Sequence, residues 1–515
     1  MHKIEVKHSS ILINDYNMGD CTFLENSFTI YDPITHSRYI YILEYDEDNK
    51  ILYVPRGIDV YLLENAFGCV PFISNSCDAY DNIGEVLIKY KPRDEYQEEG
   101  LQFMLGLDKY RNNTRKSQLS LNLPTGVGKS YCAIATMAIM RYRSIVMTSS
   151  LKWLKQWKDY ILEYTNIKES EIITLSSNHS SIELLLSRDI NKYKVILASI
   201  DTIRSYGDKN GWDKVEELFK FMRVGLKFYD ECHLNFETMA KIDYHSNTYK
   251  TYYITATPGR SDQRQNAIYQ LYFKNVPSIS LFNEEEHPHT RYICMKYKSD
   301  PTPQEKSACR GRFELDRNKY TNYVVTKPNF YKMLRVIIQL ALKTEGKCLI
   351  YIGTNKAIQI VKDWIEREYF ELRGDVGIYT SIVDDKIKDS QLNNKIILST
   401  TKSFGAAMDL KGLKMTVVLA EPFKSDILAV QTLGRTRDNN TYYIDVVDMS
   451  FNSIYKYYNH KKPIFNKYAL DTRETNINNK VLDNKYNRIM ENRDTDGVPL
   501  DENGNRIVIR RIRKE

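Results

Sequence analysis

The sequence lacks any long apolar run. No stretch approaches the roughly 18 uninterrupted apolar residues that a membrane-spanning helix requires. The first fifteen residues, MHKIEVKHSSILIND, contain no apolar signal core,. We therefore expect no membrane association and no secretion, and we place the chain in the cytoplasm, or in the host cytoplasm if its source is a virus.

Cysteine is present but never closely paired. The eight cysteines are scattered along the chain, and no CxxC pair occurs. A structural zinc site and a disulfide framework both depend on cysteines at characteristic spacings, so neither is indicated. Reduced cytosolic thiols are the simpler interpretation.

No single sign of charge dominates. The net charge is +7 over 515 residues, which permits nucleic-acid binding without establishing it,. With 42% hydrophobic and 27% charged residues, the composition is that of a globular protein,. A chain of this length exceeds one ordinary core, so about three domains are expected.

The texture of the sequence divides the chain into five parts. Short alternating strands predict a small β-rich accessory module over residues 1–88, with DNA binding as one option for it. Strands alternating with helices in 89–280 and again in 326–455 predict two α/β domains, each with a parallel sheet covered by helices on both faces. The charged, proline-containing stretch 281–325 is predicted to connect them, and 456–515 to form a tail.

The strongest local motif is LNLPTGVGKS. An apolar strand enters a glycine-containing loop, and a helical pattern begins at its end. Such a loop lets backbone N–H groups face phosphate oxygens, which the helix N-terminus also favours. Lys129 would reach the β- and γ-phosphates of ATP, and the Ser130 hydroxyl would coordinate Mg²⁺, with Thr125, Gly126 and Gly128 forming the loop. The alternative is a chance match in a surface turn, because the first glycine of the usual motif is missing.

A second motif, DECH, ends the apolar strand VGLKFYDE about a hundred residues later. Asp230 is suited to hold Mg²⁺, and Glu231 to orient and deprotonate the attacking water. Adjacent acidic residues after a strand are often structural. Their position downstream of a phosphate loop favours the catalytic interpretation.

Together these motifs resemble the DExH-box helicases of superfamily 2, and TATPGRSD resembles the TATPxRxD segment of the DNA-acting branch. The resemblance implies two tandem RecA-like domains that bind ATP and Mg²⁺ and act on nucleic acid, with DNA the expected partner. It also implies that His233, Thr255 and Thr257 couple nucleotide state to strand movement.

Three weaker segments extend the resemblance within the first α/β domain. Gln97 matches a Tyr-Gln pair that reads adenine, while Gln156 and Thr202 match segments that contact the nucleic-acid strand. An amphipathic helix or a Ser/Thr helix cap is the alternative for each of these segments.

The second α/β domain resembles the domain that closes the nucleotide cleft in this family. The segment QTLGRTR resembles the start of its arginine motif, which implies that Arg435 and Arg437 lie near the γ-phosphate and that Gln431 lies at the ATP site. The second arginine comes one position early, so either could be the one that faces the phosphate. Asp409 matches an aspartate of the ATP-sensing segment, and Thr354 a nucleic-acid contact at a strand end.

The resemblance covers about residues 89–450 and is greatest to the phage-type DNA helicases that remodel branched DNA during recombination-dependent replication. It implies an ATP-dependent DNA helicase or translocase. Three alternatives stay open: an RNA helicase, a duplex translocase that does not separate strands, and an inactive nucleic-acid-binding scaffold. Retention of Lys129, Glu231 and Arg435 argues against the scaffold.

Overall fold

The chain folds into two compact units, Met1–Asn283 and Glu284–Glu515. The structure is a computed structural model, and it describes residues 2–32, 37–74, 77–123, 128–176, 180–256, 258–260, 262–281, 290–311, 314–404, 410–433 and 441–477. Within these ranges, no helix is long and apolar enough to cross a membrane.

The first unit begins with a small module, here called the N-terminal module, that carries its own sheet. The sheet has the order β5-β6-β2-β1-β7, and β3 and β4 form a separate hairpin. β5 and β6 pair antiparallel on either side of the turn DEDNK. The elements are Lys3–Val6 (β1), Ser10–Asn14 (β2), Thr22–Ser27 (α1), Thr29–Asp32 (β3), Ser37–Ile40 (β4), Glu44–Asp46 (β5), Ile51–Pro55 (β6), Val60–Phe67 (α2) and Phe72–Ile73 (β7).

The rest of the first unit is a RecA-like domain. Its seven strands are all parallel, in the order β10-β11-β9-β12-β13-β8-β14. The elements are Glu95–Leu105 (α3), Gln118–Asn122 (β8), Lys129–Met140 (α4), Ser144–Thr148 (β9), Leu151–Tyr164 (α5), Ile172–Leu175 (β10), Ser180–Leu186 (α6), Val195–Ser199 (β11), Ile200–Asn210 (α7), Trp212–Met222 (α8), Leu226–Asp230 (β12), Phe236–Tyr244 (α9), Lys250–Thr255 (β13), Gln263–Tyr272 (α10) and Ser278–Ser280 (β14).

The sequence explains this domain's layers. Strands β8, β9, β11, β12 and β13 are buried along their whole length, as expected for a parallel sheet covered on both faces,. Helix α5 buries Trp153, Leu154, Trp157 and Ile161, which recur at helical spacing on one face,. Because β12, β13 and β8 are neighbours, their carboxyl ends bring the predicted motifs to one edge of the sheet,.

The second unit is also RecA-like, with a fully parallel sheet in the order β17-β18-β16-β19-β20-β15-β21. The elements are Thr290–Tyr297 (β15), Pro303–Ala308 (α11), Arg317–Val324 (α12), Pro328–Lys343 (α13), Lys347–Ile352 (β16), Asn355–Glu368 (α14), Val376–Tyr379 (β17), Asp385–Gln391 (α15), Ile396–Ser399 (β18), Thr401–Phe404 (α16), Leu413–Ala420 (β19), Asp426–Leu433 (α17), Thr441–Asp448 (β20), Asn452–Tyr468 (α18) and Asp471–Asn476 (β21).

The structure differs from the predicted boundaries at three places. The stretch 281–325, predicted as a connection, contains β15, which pairs with β20 and β21 inside the second sheet. The predicted tail contributes α18 and β21 to the same unit, because Tyr458 and Phe465 are apolar enough to be buried there. The N-terminal module shares one continuous core with α9 and α10 and is part of the first compact unit.

Candidate active site

The predicted phosphate loop ends at the start of α4. Gly128 caps this helix with φ of 106°, a conformation that favours glycine,. A Cβ at this position would lie 2.1 Å from Gln97 Nε2, so the glycine also allows the predicted adenine-reading residue to approach the loop. Gln97 is held in turn by the N-cap of α3, where its backbone N–H donates to Asp94 Oδ1 at 2.9 Å.

The DECH motif begins where β12 ends. Glu231 adopts a left-handed backbone conformation with φ of 51°, which is uncommon for a residue with a Cβ and is found disproportionately at functional sites,. Lys129 Nζ lies 3.1 Å from Glu231 Oε1, and the two side chains are 11% and 4% exposed. The first residue of the helix after the phosphate loop therefore forms an ion pair with the second carboxylate of the DECH motif.

Two further predicted residues join this pair. Thr255, at the end of β13, donates its hydroxyl to Glu231 Oε2 at 3.3 Å. His233 Nδ1 lies 2.8 Å from Thr255 Oγ1 and 3.4 Å from Glu231 Oε2. Burial lowers the pKa of His233 to about 4, so the imidazole is neutral at physiological pH,. The Thr255 hydroxyl and the neutral His233 imidazole thus lie around the Glu231 carboxylate, and their hydrogen bonds link the ends of β12 and β13.

Asp230 is held by a residue that sequence reasoning did not single out. Trp157 Nε1 donates to Asp230 Oδ2 at 2.8 Å, and the indole is buried on α5. Burial, and next the neighbouring Glu231 charge, raise the pKa of Asp230 to about 6,. The periodic apolar face of α5 was the available signal for Trp157, but that face shows only that the residue is buried.

The donor set fits a nucleotide with a hard divalent cation. Among the described residues, Asp230 and Glu231 supply two buried carboxylates and Lys129 supplies one ammonium, which leaves an excess of negative charge in this part of the site. Carboxylate and hydroxyl oxygens are the ligands that Mg²⁺ takes in proteins, and Ser130 is half-buried at the start of α4 beside Lys129,. Asp230 and Ser130 would hold the cation, which would neutralise phosphate charge when bound.

A comparison with protein families agrees with this geometry. The family described as "ResIII: Type III restriction enzyme, res subunit" matches residues 89–260, which include each of the site residues above. Residues 89–260 form a helicase domain of superfamily 2. The chain is accordingly an ATP-hydrolysing enzyme.

Curated relatives of the helicase are distant in sequence. The candidate helicase 161L of Invertebrate iridescent virus 6 is 23% identical over 363 residues, which cover 67% of this chain and 75% of that protein. The XPB helicase/translocase subunit of transcription and DNA repair factor IIH from Danio rerio is 22% identical over 344 residues, covering 66% of this chain. The match spans only 41% of that longer protein.

Solved structures confirm the fold. A fragment assigned as the HsdR subunit of a type I restriction enzyme from Vibrio vulnificus YJ016 aligns with 92% of this chain and 79% of its own, with a TM-score of 0.50 and 13% identity. T4 UvsW aligns with 92% of this chain and 99% of its own at 16% identity, but its TM-score of 0.36 leaves the phage-type subgroup a prediction.

Of the three residues that were predicted to contact nucleic acid, two have other hydrogen-bond partners and the third is buried. Gln156 Nε2 donates to Tyr160 OH at 2.7 Å on the same helix. Thr202 is only 3% exposed, and its hydroxyl has no hydrogen-bond partner among the described residues. Thr354 caps α14 by accepting from Ala357 N at 3.2 Å. In this conformation Thr202 cannot reach a strand on the surface, because the packing of α7 buries it.

The remaining predicted site residues are not described by the structure. Most fall in the phosphate loop, in the TATP segment and in the two motifs of the second unit, and for Gln431 only the position on α17 is described. Their roles stay predictions; the residues are Thr125, Gly126, Thr257, Asp409, Arg435 and Arg437 and the side chain of Gln431.

Proposed function

We propose that this helicase uses ATP and Mg²⁺ to unwind or remodel branched DNA in replication, recombination or repair. The observation that carries the proposal is the Lys129–Glu231 ion pair, tied through Thr255 to the next strand of the sheet. The pair joins the residue that would bind phosphate to the residue that would activate water. A phosphate group that attracts Lys129 would compete directly with Glu231 for its ammonium.

The chain's own residues then have distinct tasks. Lys129 neutralises charge on the phosphates of the substrate, and Glu231, released from the ion pair, accepts a proton from the attacking water. Thr255 and His233 contact the same carboxylate, so a change in its partner alters the hydrogen bonding at the end of β13. Arg435 or Arg437 of the second RecA-like domain would stabilise the charge that develops on the transferred group.

Two observations favour DNA as the nucleic acid. The segment Thr255–Asp262 reads TATPGRSD, the form that resembles the DNA-acting branch. Two further relatives, from Kineococcus radiotolerans and Mycobacterium tuberculosis, are each named DNA 3'-5' helicase XPB and are 27% identical over 149 residues. The name of the Danio rerio relative includes both helicase and translocase. We also propose a cytoplasmic location, which would be the host cytoplasm if the source is a virus.

Steady-state ATP hydrolysis tests the proposal. The rate would be measured for the full chain alone, with single-stranded DNA, with branched duplex DNA and with RNA. We expect the largest stimulation with branched DNA, whereas stimulation by RNA alone would contradict the choice of DNA. A strand-displacement measurement on the same branched substrate separates unwinding from translocation on duplex.

Lys129→Ala is the matching active-site variant. We expect ATP hydrolysis to be abolished with each of the nucleic acids tested, while the far-ultraviolet circular dichroism spectrum is unchanged. The exposed Lys274→Ala is the control for loss of one positive charge in the same unit. Turnover that survives in Lys129→Ala would mean that the site is wrongly assigned.

A further inference from the structure

An arginine in the first turn of α10 forms hydrogen bonds with the N-terminal module. Arg264 donates from Nη2 to the carbonyl oxygens of Asn26 at 2.7 Å and Ser27 at 3.1 Å, and from Nε to that of Thr29 at 2.9 Å. These carbonyls lie at the end of α1 and the start of β3, which we call the α1–β3 corner. An arginine satisfies helix-terminal carbonyls well, because its rigid fork presents several donors at once.

The residues just before α10 are attached to the DECH motif. The Arg260 side chain donates from Nη1 to the carbonyl oxygen of His233, and to that of Leu234 at 3.2 Å. Its Nη2 also donates to Gln265 Oε1 at 3.2 Å, within the first turn of α10. Its guanidinium therefore joins the DECH loop to this helix.

The backbone at this position is shaped for the same contact. Arg260 N donates to Asn266 Oδ1 at 2.9 Å. The preceding Gly259 has φ of 134°, and a Cβ there would lie 2.8 Å from that oxygen. Both the side chain and the main chain of Arg260 are thus held by side chains of α10.

The far end of α10 also contacts the module. A Cβ on Gly57 would lie 2.0 Å from the carbonyl oxygen of Tyr272, and Asn275 N donates to the carbonyl oxygen of Gly57 at 3.1 Å. Tyr41 of the module packs edge-on against Phe236, the first residue of α9, with ring centroids 6.3 Å apart. The module therefore contacts α9, which follows the DECH motif, and α10, which follows the TATP segment.

We propose that the N-terminal module responds to the nucleotide state of the first RecA-like domain through α10, with Arg260 and Arg264 as positioning residues. A change of partner at Glu231 shifts His233 and the DECH loop, Arg260 carries the shift to α10, and Arg264 carries it to the α1–β3 corner. The inference rests on the proposed function, since it requires that nucleotide bind at Lys129 and Glu231. It assigns the module a part in the ATP cycle beyond packing.

Hydrogen–deuterium exchange on the full chain tests the proposal. Exchange would be compared with ADP and with a non-hydrolysable ATP analogue, each with Mg²⁺, for peptides covering residues 22–32 and 129–140. We expect both peptides to differ between the two nucleotides in the unaltered protein. In Arg264→Ala the difference at 22–32 should be lost, while that at 129–140 remains.

Two further variants separate coupling from simple stabilisation. Arg264→Lys keeps the charge but places all of its N–H donors on one nitrogen. It cannot reproduce the separate contacts that Nε and Nη2 of the guanidinium make, so it should also lose the difference,. Gln263→Ala, an exposed neighbour in the same turn, should retain it. A merely structural role for Arg264 would raise exchange at 22–32 equally with both nucleotides and leave the difference intact, which would overturn the proposal.

Reciprocity supplies an independent measurement. If nucleotide state changes the strength of the contact between the module and α10, then weakening that contact must change the ratio of the affinities for the two nucleotides by the same factor. Such factors are typically about fivefold or more. We expect this change in Arg264→Ala and not in Gln263→Ala. Protection at 129–140 with no change at 22–32 in the unaltered protein would overturn this inference alone. Absence of protection at both peptides would overturn the proposed nucleotide site and this inference with it.

Discussion

Two buried carboxylate clusters adjoin β12, and they are compensated in opposite ways. The first surrounds Asp243 on α9, whose carboxylate lies 2.6 Å from Lys227 Nζ, with both side chains fully buried. Three tyrosine hydroxyls donate to the same carboxylate, from Tyr229 at 2.9 Å and from Tyr253 and Tyr272 at 2.6 Å each. The second cluster is Asp230 and Glu231 with the single ammonium of Lys129.

This difference distinguishes a buried charge that stabilises the fold, at Asp243, from the buried charges that we propose to act in ATP hydrolysis, at Asp230 and Glu231. Burial lowers the pKa of Lys227, and Asp243 opposes that change, so the pair is neutral overall and its carboxylate is saturated with donors,. Among the residues that the structure describes, the two carboxylates of the DECH motif share one cation, Lys129, and the pKa of Asp230 is raised to about 6. We therefore expect this cluster, rather than that of Asp243, to receive a further positive charge.

The largest predicted effect is at Glu231. Glu231→Gln keeps the shape of the side chain but removes the base, so we expect turnover to fall by about 10²–10⁴-fold. Stability should not fall, because Asp230 still provides a counter-charge for Lys129 and the repulsion between the two carboxylates is relieved. Steady-state ATP hydrolysis and thermal unfolding of the same preparation check both parts. A variant that loses stability in proportion to its activity would contradict the functional interpretation of this cluster.

The opposite pattern is predicted at Asp243. Asp243→Asn leaves Lys227 fully buried without its counter-charge, which should cost about 3–5 kcal/mol of unfolding free energy. Denaturant unfolding measures the loss, with the exposed Asp159→Asn as the control. The folded fraction should retain ATP hydrolysis, since no atom of this cluster belongs to the nucleotide site. Loss of activity without loss of stability would show that the two clusters are not distinct.

A smaller effect at Trp157 tests how Asp230 is held. Trp157→Phe keeps a buried ring but removes the N–H that donates to Asp230, so the pKa of Asp230 should rise further,. Residues that orient metal ligands typically contribute about tenfold to affinity, and we expect a loss of that size in Mg²⁺-dependent nucleotide binding. Trp153→Phe, on the same buried face of α5, is the control. Equal losses in both variants would point to packing instead.

The sequence predicts the fold well and the site in part. Local strand and helix patterns predicted both parallel sheets, and their topology brings Lys129, Asp230 and Glu231 to one edge. Trp157 could not be found from the sequence, because a buried aromatic on an amphipathic helix has the same pattern whether or not its N–H meets a carboxylate.

The boundaries of the second unit were less predictable for a similar reason. Strand β15 follows a charged stretch and pairs with β20, which lies about 150 positions later in the chain. Such a pairing leaves no local signal. Thr202 shows the same limit at the level of one residue, since its burial depends on how α7 packs rather than on its own segment.

The smallest predicted effect concerns a third carboxylate, that of the half-buried Glu421, directly after β19 in the second unit. It accepts from Thr401 N at 2.8 Å and from Thr401 Oγ1 at 2.6 Å, and burial raises its pKa to about 7 despite these bonds. Like Asp230, it lies at the carboxyl end of a parallel strand. Glu421 therefore tests whether a carboxylate whose charge is not fully compensated lowers the free energy of unfolding outside the proposed nucleotide site.

The sign of the effect follows from proton binding. Between pH about 4.5 and about 7 the folded protein holds a proton on Glu421 that the unfolded chain releases, so stability falls as pH rises through this window,. Glu421→Gln cannot ionise, and its stability relative to the unaltered protein should rise by about 1 kcal/mol between pH 6 and 7,. Thermal unfolding at several pH values, read against the exposed Glu371→Gln, measures this difference. A difference in stability that does not change with pH would mean that hydrogen bonds fully compensate the charge of Glu421. In that case the raised pKa would distinguish the DECH cluster from Glu421 as well as from Asp243.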